Sequence, residues 1–269
     1  MDRDGGSRKR LATDADLPIA PAWSPDSSSV IFRRSNNSDS AGRFQLIRVT
    51  TSGVESVLVD SAAGLMPVGF TPQGAFYYVS FTTGGTDLGV VYPSGGVLSN
   101  VAHLSDDFAR DWHLSPDGTR LAYLAPRQNG DRVSYGAVTL DLAGSGSGPL
   151  LAAAAPTDQG DEFNPIWRPD GSEITVGRLS VKGASGAAVL RMTATGVRTA
   201  QTLLAPPSGF DVPLAWSPDA GYLAVRYFEG NSVTNPGRSW VTVVGAYGGR
   251  ATVSPNSDVE VMGWVDSGG

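Results

Sequence analysis

The sequence predicts an all-β fold, a β-propeller of four-stranded antiparallel blades. Three observations predict it: a motif that recurs about every 48 residues, four short β-rich runs in each period, and many turn-forming residues. The 269 residues include 34 glycines and 18 prolines, about a fifth of the chain against an average near 12%. Because these residues interrupt regular structure so often, long helices are disfavoured and short strands are favoured.

The recurring motif is a large apolar residue followed by Ser-Pro-Asp-Gly or a close variant. The residues that recur from copy to copy are Trp23, Pro25, Asp26, Phe70, Pro72, Pro116, Asp117, Trp167, Pro169, Asp170, Trp216, Pro218, Asp219 and, in a degenerate sixth copy, Trp264. Proline presets φ for the first central position of a type I turn, aspartate suits the second, and glycine suits the fourth. The motif therefore predicts a tight hairpin between the first two strands of every blade. The large apolar residue predicts packing between blades, because each sheet can hide its faces only against its neighbours.

Each period also carries runs that predict the remaining strands. The second-strand runs are residues 30–32, 76–79, 121–124, 174–176 and 222–225, and the third-strand runs are 44–49, 88–92, 135–140, 187–192 and 240–244. Fourth-strand runs follow, for example at 55–59 and 199–204. Four strands in a period of this length match a propeller blade better than a helical repeat or a parallel solenoid coil.

We expect residues 1–269 to form a single propeller domain, the alternative being a piece excised from a larger protein. Residues 1–11 look like the end of a third strand, a glycine turn and a fourth strand, and residues 261–265 look like a sixth first strand. The preferred interpretation is a six-bladed ring whose last blade is incomplete or is closed by both termini.

The motif Trp-Ser-Pro-Asp, followed by a strand of the Leu-Ala-Tyr type, resembles the WD40-like (PD40) repeats of the TolB-type propeller family over essentially the whole chain. The resemblance implies a bacterial binding module or scaffold, periplasmic or extracellular, that presents channel-mouth loops to a protein partner or a small ligand. Related repeats also occur in propeller lyases, in peptidase propellers and in sensor ectodomains, so the resemblance leaves those activities open.

Composition excludes several classes of protein. The net charge of −6 and the sequence pI of about 4.9 argue against a nucleic-acid-binding surface. With no cysteine there is no disulfide framework, thiolate metal site or cysteine nucleophile. The longest apolar stretch, residues 149–156, is far shorter than the roughly 20 residues of a membrane-spanning helix. Neither a Gly-x-Ser-x-Gly motif nor a phosphate-binding or dinucleotide-binding fingerprint occurs. The sequence leaves the oligomeric state open.

Polar side chains cluster just before the motif in copies three to six. In a propeller this part of each first strand lies at one mouth of the central channel. The ligand or metal candidates are Arg110, Asp111, His113, Glu162, Asn164, Asp211 and Glu260, with Asp106, Asp107 and Asp161 on neighbouring loops. We expect no resident cofactor, although oxygen ligands of this kind leave a divalent cation such as calcium open. The structural alternative is a set of solvated loop residues and local ion pairs.

His113 replaces the small residue that other copies carry at its position. Asp111 lies two residues away, on the same face of a regular strand, and could orient the imidazole as a general base. The alternative is a hydrogen-bonded histidine that fills space between blades; the other histidine, His103, is expected at the surface.

The sequence favours a non-enzymatic binding module. The alternatives are a propeller-type lyase or hydrolase that uses His113 with Asp111, Glu162 and Asp211, or the propeller portion of a larger peptidase or sensor protein.

Overall fold

A computed structural model describes residues 9–16, 19–36, 42–129, 131–142, 151–152, 161–179, 184–193, 196–254, 261 and 264. Throughout these ranges the regular structure is β, with turns and bends between the strands. None of the described residues belongs to a helix that is long and apolar enough to cross a membrane. The chain forms two compact units, Met1–Phe108 and Ala109–Gly269.

Two four-stranded antiparallel sheets make up the part of unit 1 that the structure describes. The first consists of β1 (Ala22–Trp23), β2 (Ser29–Asn36), β3 (Arg43–Thr50) and β4 (Glu55–Ser61), and the second of β5 (Gly64–Phe70), β6 (Phe76–Thr82), β7 (Gly85–Val91) and β8 (Val97–Ser105). Within each sheet every strand pairs with its neighbour in sequence, so both sheets are simple meanders.

The described residues of unit 2 form three sheets of the same topology. They comprise β9 (Arg110–Leu114), β10 (Arg120–Asn129), β11 (Arg132–Asp141) and β12 (Leu151–Ala152); β13 (Glu162–Trp167), β14 (Glu173–Arg178), β15 (Ala188–Thr193) and β16 (Gly196–Thr202); and β17 (Phe210–Trp216), β18 (Tyr222–Phe228), β19 (Ser239–Gly245) and β20 (Arg250–Ser254). The four strands per period that the sequence predicts are thereby confirmed, and each sheet is one propeller blade.

The Ser-Pro-Asp-Gly segments form the predicted hairpin turns. In the copy at Ser115, the N–H of Gly118 donates to the Ser115 carbonyl oxygen at 2.8 Å, which is the bond that closes a type I turn. The Ser115 hydroxyl and the N–H of Thr119 both donate to Asp117 Oδ1, at 2.5 and 3.0 Å. These bonds satisfy polar groups of the turn locally, and the same pattern recurs around Asp26 and Asp219.

The large apolar residue of the motif packs between consecutive sheets in unit 2. Trp167 lies among buried residues of β10, β11, β14 and β15, and Trp216 lies among residues of the last two sheets; each is only 7% exposed. We call the interface between two consecutive blades a seam. Burying aromatic surface of this size is the main hydrophobic contribution to stability at such a seam. The indole N–H of Trp167 also donates to the His113 carbonyl oxygen of the preceding sheet, at 2.9 Å.

Unit 1 corrects the expectation for Trp23, which is 56% exposed. Trp23 belongs to the first sheet of its unit, and the described residues of that unit contain no earlier sheet that could cover the indole. The seam between the two sheets of unit 1 is instead built around Phe70, which packs against buried Ile31, Leu46 and Phe76.

Candidate functional site

The first strands of the three unit 2 blades bring most of the candidate residues together. β13 packs against β9 on one side and against β17 on the other, so the residues of β13 lie between those of the first and the third blade of unit 2. The described residues do not include Glu260, and Asp106 and Asp107 belong to unit 1. The site is therefore built from β9, β13 and β17.

A hydrogen-bonded chain crosses these three strands. His113 Nε2 lies 2.8 Å from Asn164 Oδ1, and Asn164 Nδ2 donates to the Pro213 carbonyl oxygen at 2.6 Å. Because the Asn164 amide nitrogen is the donor to Pro213, its oxygen must accept, and His113 carries its proton on Nε2. Burial lowers the pKa of His113, against smaller opposing effects of Asn164 and of the Asp111 charge. The imidazole is thus neutral near pH 7, with the lone pair on Nδ1.

Asp111 is not the partner of His113 in this arrangement. Its Oδ2 accepts a hydrogen bond from the backbone N–H of Asn164 at 3.3 Å. Asp111 and Asn164 both have positive φ, 56° and 41°, and the pairing of each of their strands shifts register at this point. A bulge of this kind breaks the period-two alternation on which the expectation of a shared face depended.

Glu162 is fully buried and is held by two different elements. Its Oε2 accepts from the N–H of Ala137 at 2.7 Å, and its Oε1 accepts from Nε and Nη2 of Arg178 at 3.0 and 2.9 Å. Both carboxylate oxygens are therefore engaged, one by the preceding blade and one by the strand next to β13. Nearby Asp161 acts similarly, since its Oδ1 accepts from the N–H of Tyr135 at 3.1 Å.

Asp211, at the corresponding place on β17, is also fully buried. It forms a two-pronged ion pair with Arg250, with Oδ2 2.7 Å from Nη1 and Oδ1 2.8 Å from Nη2. Burial raises the pKa of Asp211, while the hydrogen bonds and charge of Arg250 act in the opposite direction. The Asp211 backbone comes so close to Gly177 that a Cβ there would overlap the Asp211 carbonyl oxygen, so β14 needs glycine at this point.

Arg110 is the most exposed charged group of the site. Its guanidinium carbon lies 4.0 Å from the centre of the Tyr135 ring and 6.0 Å from that of Phe163, a cation–π arrangement. Its Nε is buried, makes no hydrogen bond to the described residues, and lies 4.0 Å from Asp111 Oδ2, the outer limit of an ion pair. The side chains of Arg110 and Asp111 are 40% and 36% exposed, so they form a polar rim.

A cavity of about 300 Å³ opens beside His113 on the motif side of these strands. Its walls are apolar apart from the histidine and come from all three blades: Leu114, Pro116, Ile166, Trp167, Pro169, Leu214, Ala215 and Trp216. No group of three or more histidine, aspartate or glutamate side chains arranged to hold a metal ion occurs within the described ranges. The cavity can therefore bind a small apolar group in contact with the imidazole of His113.

Sequence reasoning missed the partners of the buried acids. Arg178 and Arg250 lie outside the repeated motif, at the end of β14 and the start of β20. The two basic residues are spaced 16 and 39 positions from their acids, and no local pattern links them. His103, in contrast, lies on β8 and is exposed as expected, and hydrogen bonds to Asp87 and Asp106 raise its pKa.

No protein-family model matches the chain, and no curated protein matches its sequence. Solved structures do match its fold. TolB from Acinetobacter baumannii is 18% identical, with a TM-score of 0.51 over 78% of this chain and 50% of that one. A putative TolB from Agrobacterium tumefaciens is 17% identical, with a TM-score of 0.55 over 87% of this chain and 79% of that one. The chain thus spans about half the length of the Acinetobacter protein.

A propeller enzyme also matches the fold, with a lower sequence identity and a higher TM-score. Oligogalacturonate lyase from Vibrio parahaemolyticus is 11% identical, with a TM-score of 0.64 over 90% of this chain and 67% of that one. The chain has a TolB-like β-propeller fold, and identities this low carry information about the fold alone.

Proposed function

We propose that this chain is a non-enzymatic binding module, a single propeller domain that presents its channel mouth to a protein partner or a small ligand. One observation carries the proposal: the two carboxylates best placed for chemistry, those of Glu162 and Asp211, are fully buried in ion pairs with Arg178 and Arg250. A module of this type, located in the periplasm or outside the cell, is also what the TolB-like fold favours.

The buried pairs support a scaffold role through their geometry. A general acid or a metal ligand must reach the reacting group with an oxygen that is not already committed. All four carboxylate oxygens of Glu162 and Asp211 accept hydrogen bonds from the protein itself. They connect strands to one another and leave the rim, made by Arg110 and Asp111, as the part that a partner can contact.

The test is capture with matched variants. Immobilised protein is exposed to an extracytoplasmic extract of the source organism, and the retained species is identified. The affinity of that species is then measured for the unaltered protein and for Arg110→Ala. Arg238→Ala is the control, because Arg238 is 83% exposed and pairs with Glu229 on another part of unit 2. We expect a partner that Arg110→Ala releases and Arg238→Ala retains. Equal retention by both variants would contradict the assignment of the rim.

A second candidate function has one observation in its favour. The neutral His113 has a cavity beside it, and its Nδ1 makes no hydrogen bond to the described residues, which suits a lyase or hydrolase that removes a proton from its substrate. Incubation with acidic oligosaccharides and peptides tests it. Turnover that His113→Ala abolishes and His103→Ala preserves would establish the enzyme and overturn the binding module.

A further inference from the structure

The seams of unit 2 are closed by an arginine that covers the tryptophan of the next blade. The guanidinium carbon of Arg120 lies 4.7 Å from the centre of the Trp167 ring, and its Nη2 donates to the Gly171 carbonyl oxygen. At the next seam, the guanidinium carbon of Arg168 lies 4.8 Å from the centre of the Trp216 ring. In each case a planar cation fills the space between one hairpin turn and the next.

The corresponding seam of unit 1 lacks both arginines. Counted from the motif proline, Ser29 takes the place of Arg120 and Ser24 takes the place of Arg168, while Phe70 stands where unit 2 has tryptophan. The two serines bond to each other, the Ser24 hydroxyl donating to the Ser29 carbonyl oxygen at 3.0 Å. Their short side chains leave a cavity of about 350 Å³ over Phe70.

The larger share of the cavity wall is apolar, and the polar share comes from Ser24, Asp26, Ser29, Arg48 and Gln73. The apolar part includes side chains from five strands and from the turn after β7: Ile31, Leu58, Phe70, Phe76, Val91, Tyr92 and Pro93. Tyr92 is 45% exposed, so the cavity opens to solvent at this rim. The volume lies within the usual range for small-molecule sites, about 300 to 1,000 Å³.

A different arginine, Arg48, contributes a positive charge to the cavity wall. Arg48 on β3 lines it and donates from Nε to the Ser29 hydroxyl at 3.1 Å, while no acid of the described residues forms an ion pair with it. The single acid in the lining, Asp26, is committed to its own turn, since Oδ1 accepts from the Ser24 hydroxyl and from the backbone and hydroxyl of Ser28. The cavity thus combines apolar surface with a guanidinium whose terminal nitrogens form no hydrogen bond to the described residues.

We propose that the cavity between the two blades of unit 1 binds a small carboxylate with an apolar body. The carboxylate pairs with the Nη donors of Arg48, whose planar fork matches two oxygens, and the body lies on Phe70 in the space that a guanidinium fills in unit 2. A cationic ligand is disfavoured because it would share the cavity with Arg48. This site shares no residue with the channel mouth and does not depend on the function proposed for the channel mouth.

The experiment uses hydrocinnamate as the probe, with isothermal titration calorimetry and saturation-transfer NMR on the full chain. Its uncharged amide, hydrocinnamide, and the cation phenethylamine share the phenyl body and isolate the charge. We expect saturable binding of hydrocinnamate, at least about tenfold weaker binding of the amide, and a similar loss in Arg48→Ala, because a charge-assisted pair is removed each time.

Two further variants locate the site. Arg43→Ala is the matched control: Arg43 lies on the same strand, pairs with Asp60 and does not line the cavity. It should bind hydrocinnamate as the unaltered protein does. Leu58→Trp should fill the cavity and abolish binding while the circular dichroism spectrum is retained.

Three results would overturn the proposal: no saturable binding of hydrocinnamate by the folded protein, equal binding by Arg48→Ala, or tighter binding of phenethylamine than of hydrocinnamate. If Leu58→Trp fails to fold, the comparison of Arg48→Ala with Arg43→Ala decides the question without it.

Discussion

The seams between blades differ in the two units although the blades share one topology and one turn. In unit 2, Trp167 and Trp216 are buried under Arg120 and Arg168. In unit 1, Phe70 faces a cavity, because the equivalent positions are serines. The residues one position before and four positions after the motif proline therefore determine whether a seam is filled or stays open, while the turn itself is unaffected.

The largest effect is expected from removing a seam tryptophan. Trp167→Ala should lower the free energy of unfolding by about 3 to 5 kcal/mol, since it leaves a cavity at a closed seam and removes the bond to the His113 carbonyl. Phe70→Ala should cost less, about 1 to 3 kcal/mol, because its seam is already open. Urea denaturation followed by circular dichroism measures both; equal losses would mean that the seams are equivalent.

The buried ion pair at the channel should rank next. Asp211→Asn leaves Arg250 without its charge partner and should cost about 3 kcal/mol. The control is Asp60→Asn in unit 1, whose pair with Arg43 is 38% exposed on each side, so solvent screens it and its loss should change stability little. The same denaturation assay applies. A loss of less than about 1 kcal/mol in the free energy of unfolding of Asp211→Asn would contradict the view that the pair with Arg250 stabilises the blade.

Opening a closed seam should have a moderate effect. Arg120→Ala removes a cation–π contact and a hydrogen bond, which together contribute about 1 to 2 kcal/mol. Arg48→Ala in unit 1 should change stability by no more than about 0.5 kcal/mol, since Arg48 covers no ring. Thermal unfolding of the two variants compares a filled seam with an open one. A larger fall in the melting temperature for Arg48→Ala than for Arg120→Ala would contradict the stabilising role of Arg120.

The hairpin turns should respond alike in both units. Ala220 in unit 2 and Ser27 in unit 1 have φ of 55° and 57° at the turn position that other copies fill with glycine. Ala220→Gly and Ser27→Gly should each stabilise the protein by about 1 kcal/mol, because glycine adopts positive φ without steric cost. Gly171→Ala, at a φ of 68°, should lower the free energy of unfolding. A lower stability of Ala220→Gly would show that the backbone of Ala220 is not strained.

The smallest effect is a pH dependence shared by the two units. Hydrogen bonds from Ser115 and Thr119 hold the pKa of Asp117 at about 2, below its ordinary 3.8, and those from Ser24 and Ser28 do the same for Asp26. A lowered folded-state pKa means that the stabilisation is present above pH 3.8 and is lost as pH falls towards 2. Asp117→Asn and Asp26→Asn should each flatten the acid limb of thermal stability; an unchanged limb would show that other carboxylates set it.

Much of the fold follows from short-range features of the sequence. The turn at Asp117 is stabilised by neighbours within two residues, and each meander pairs strands that are adjacent in the chain. The candidate site was predictable only in part. The repeat predicts candidate positions at Arg110, Asp111, His113, Glu162, Asn164 and Asp211. It does not predict their partners, because those partners come from other strands and other blades.

The sequence by itself therefore determined the blade, its turns and the residues that enter the channel, because hydrogen bonds and strand pairing within a blade are local. Only the tertiary structure decided that His113 bonds to Asn164, that Asp211 is paired with Arg250, and that the seam at Phe70 is open. The physical reason is that these features depend on bulged backbone and on side chains that meet across tens of residues. A repeat fixes which positions face a neighbour, whereas the volume and charge found there depend on both partners at once.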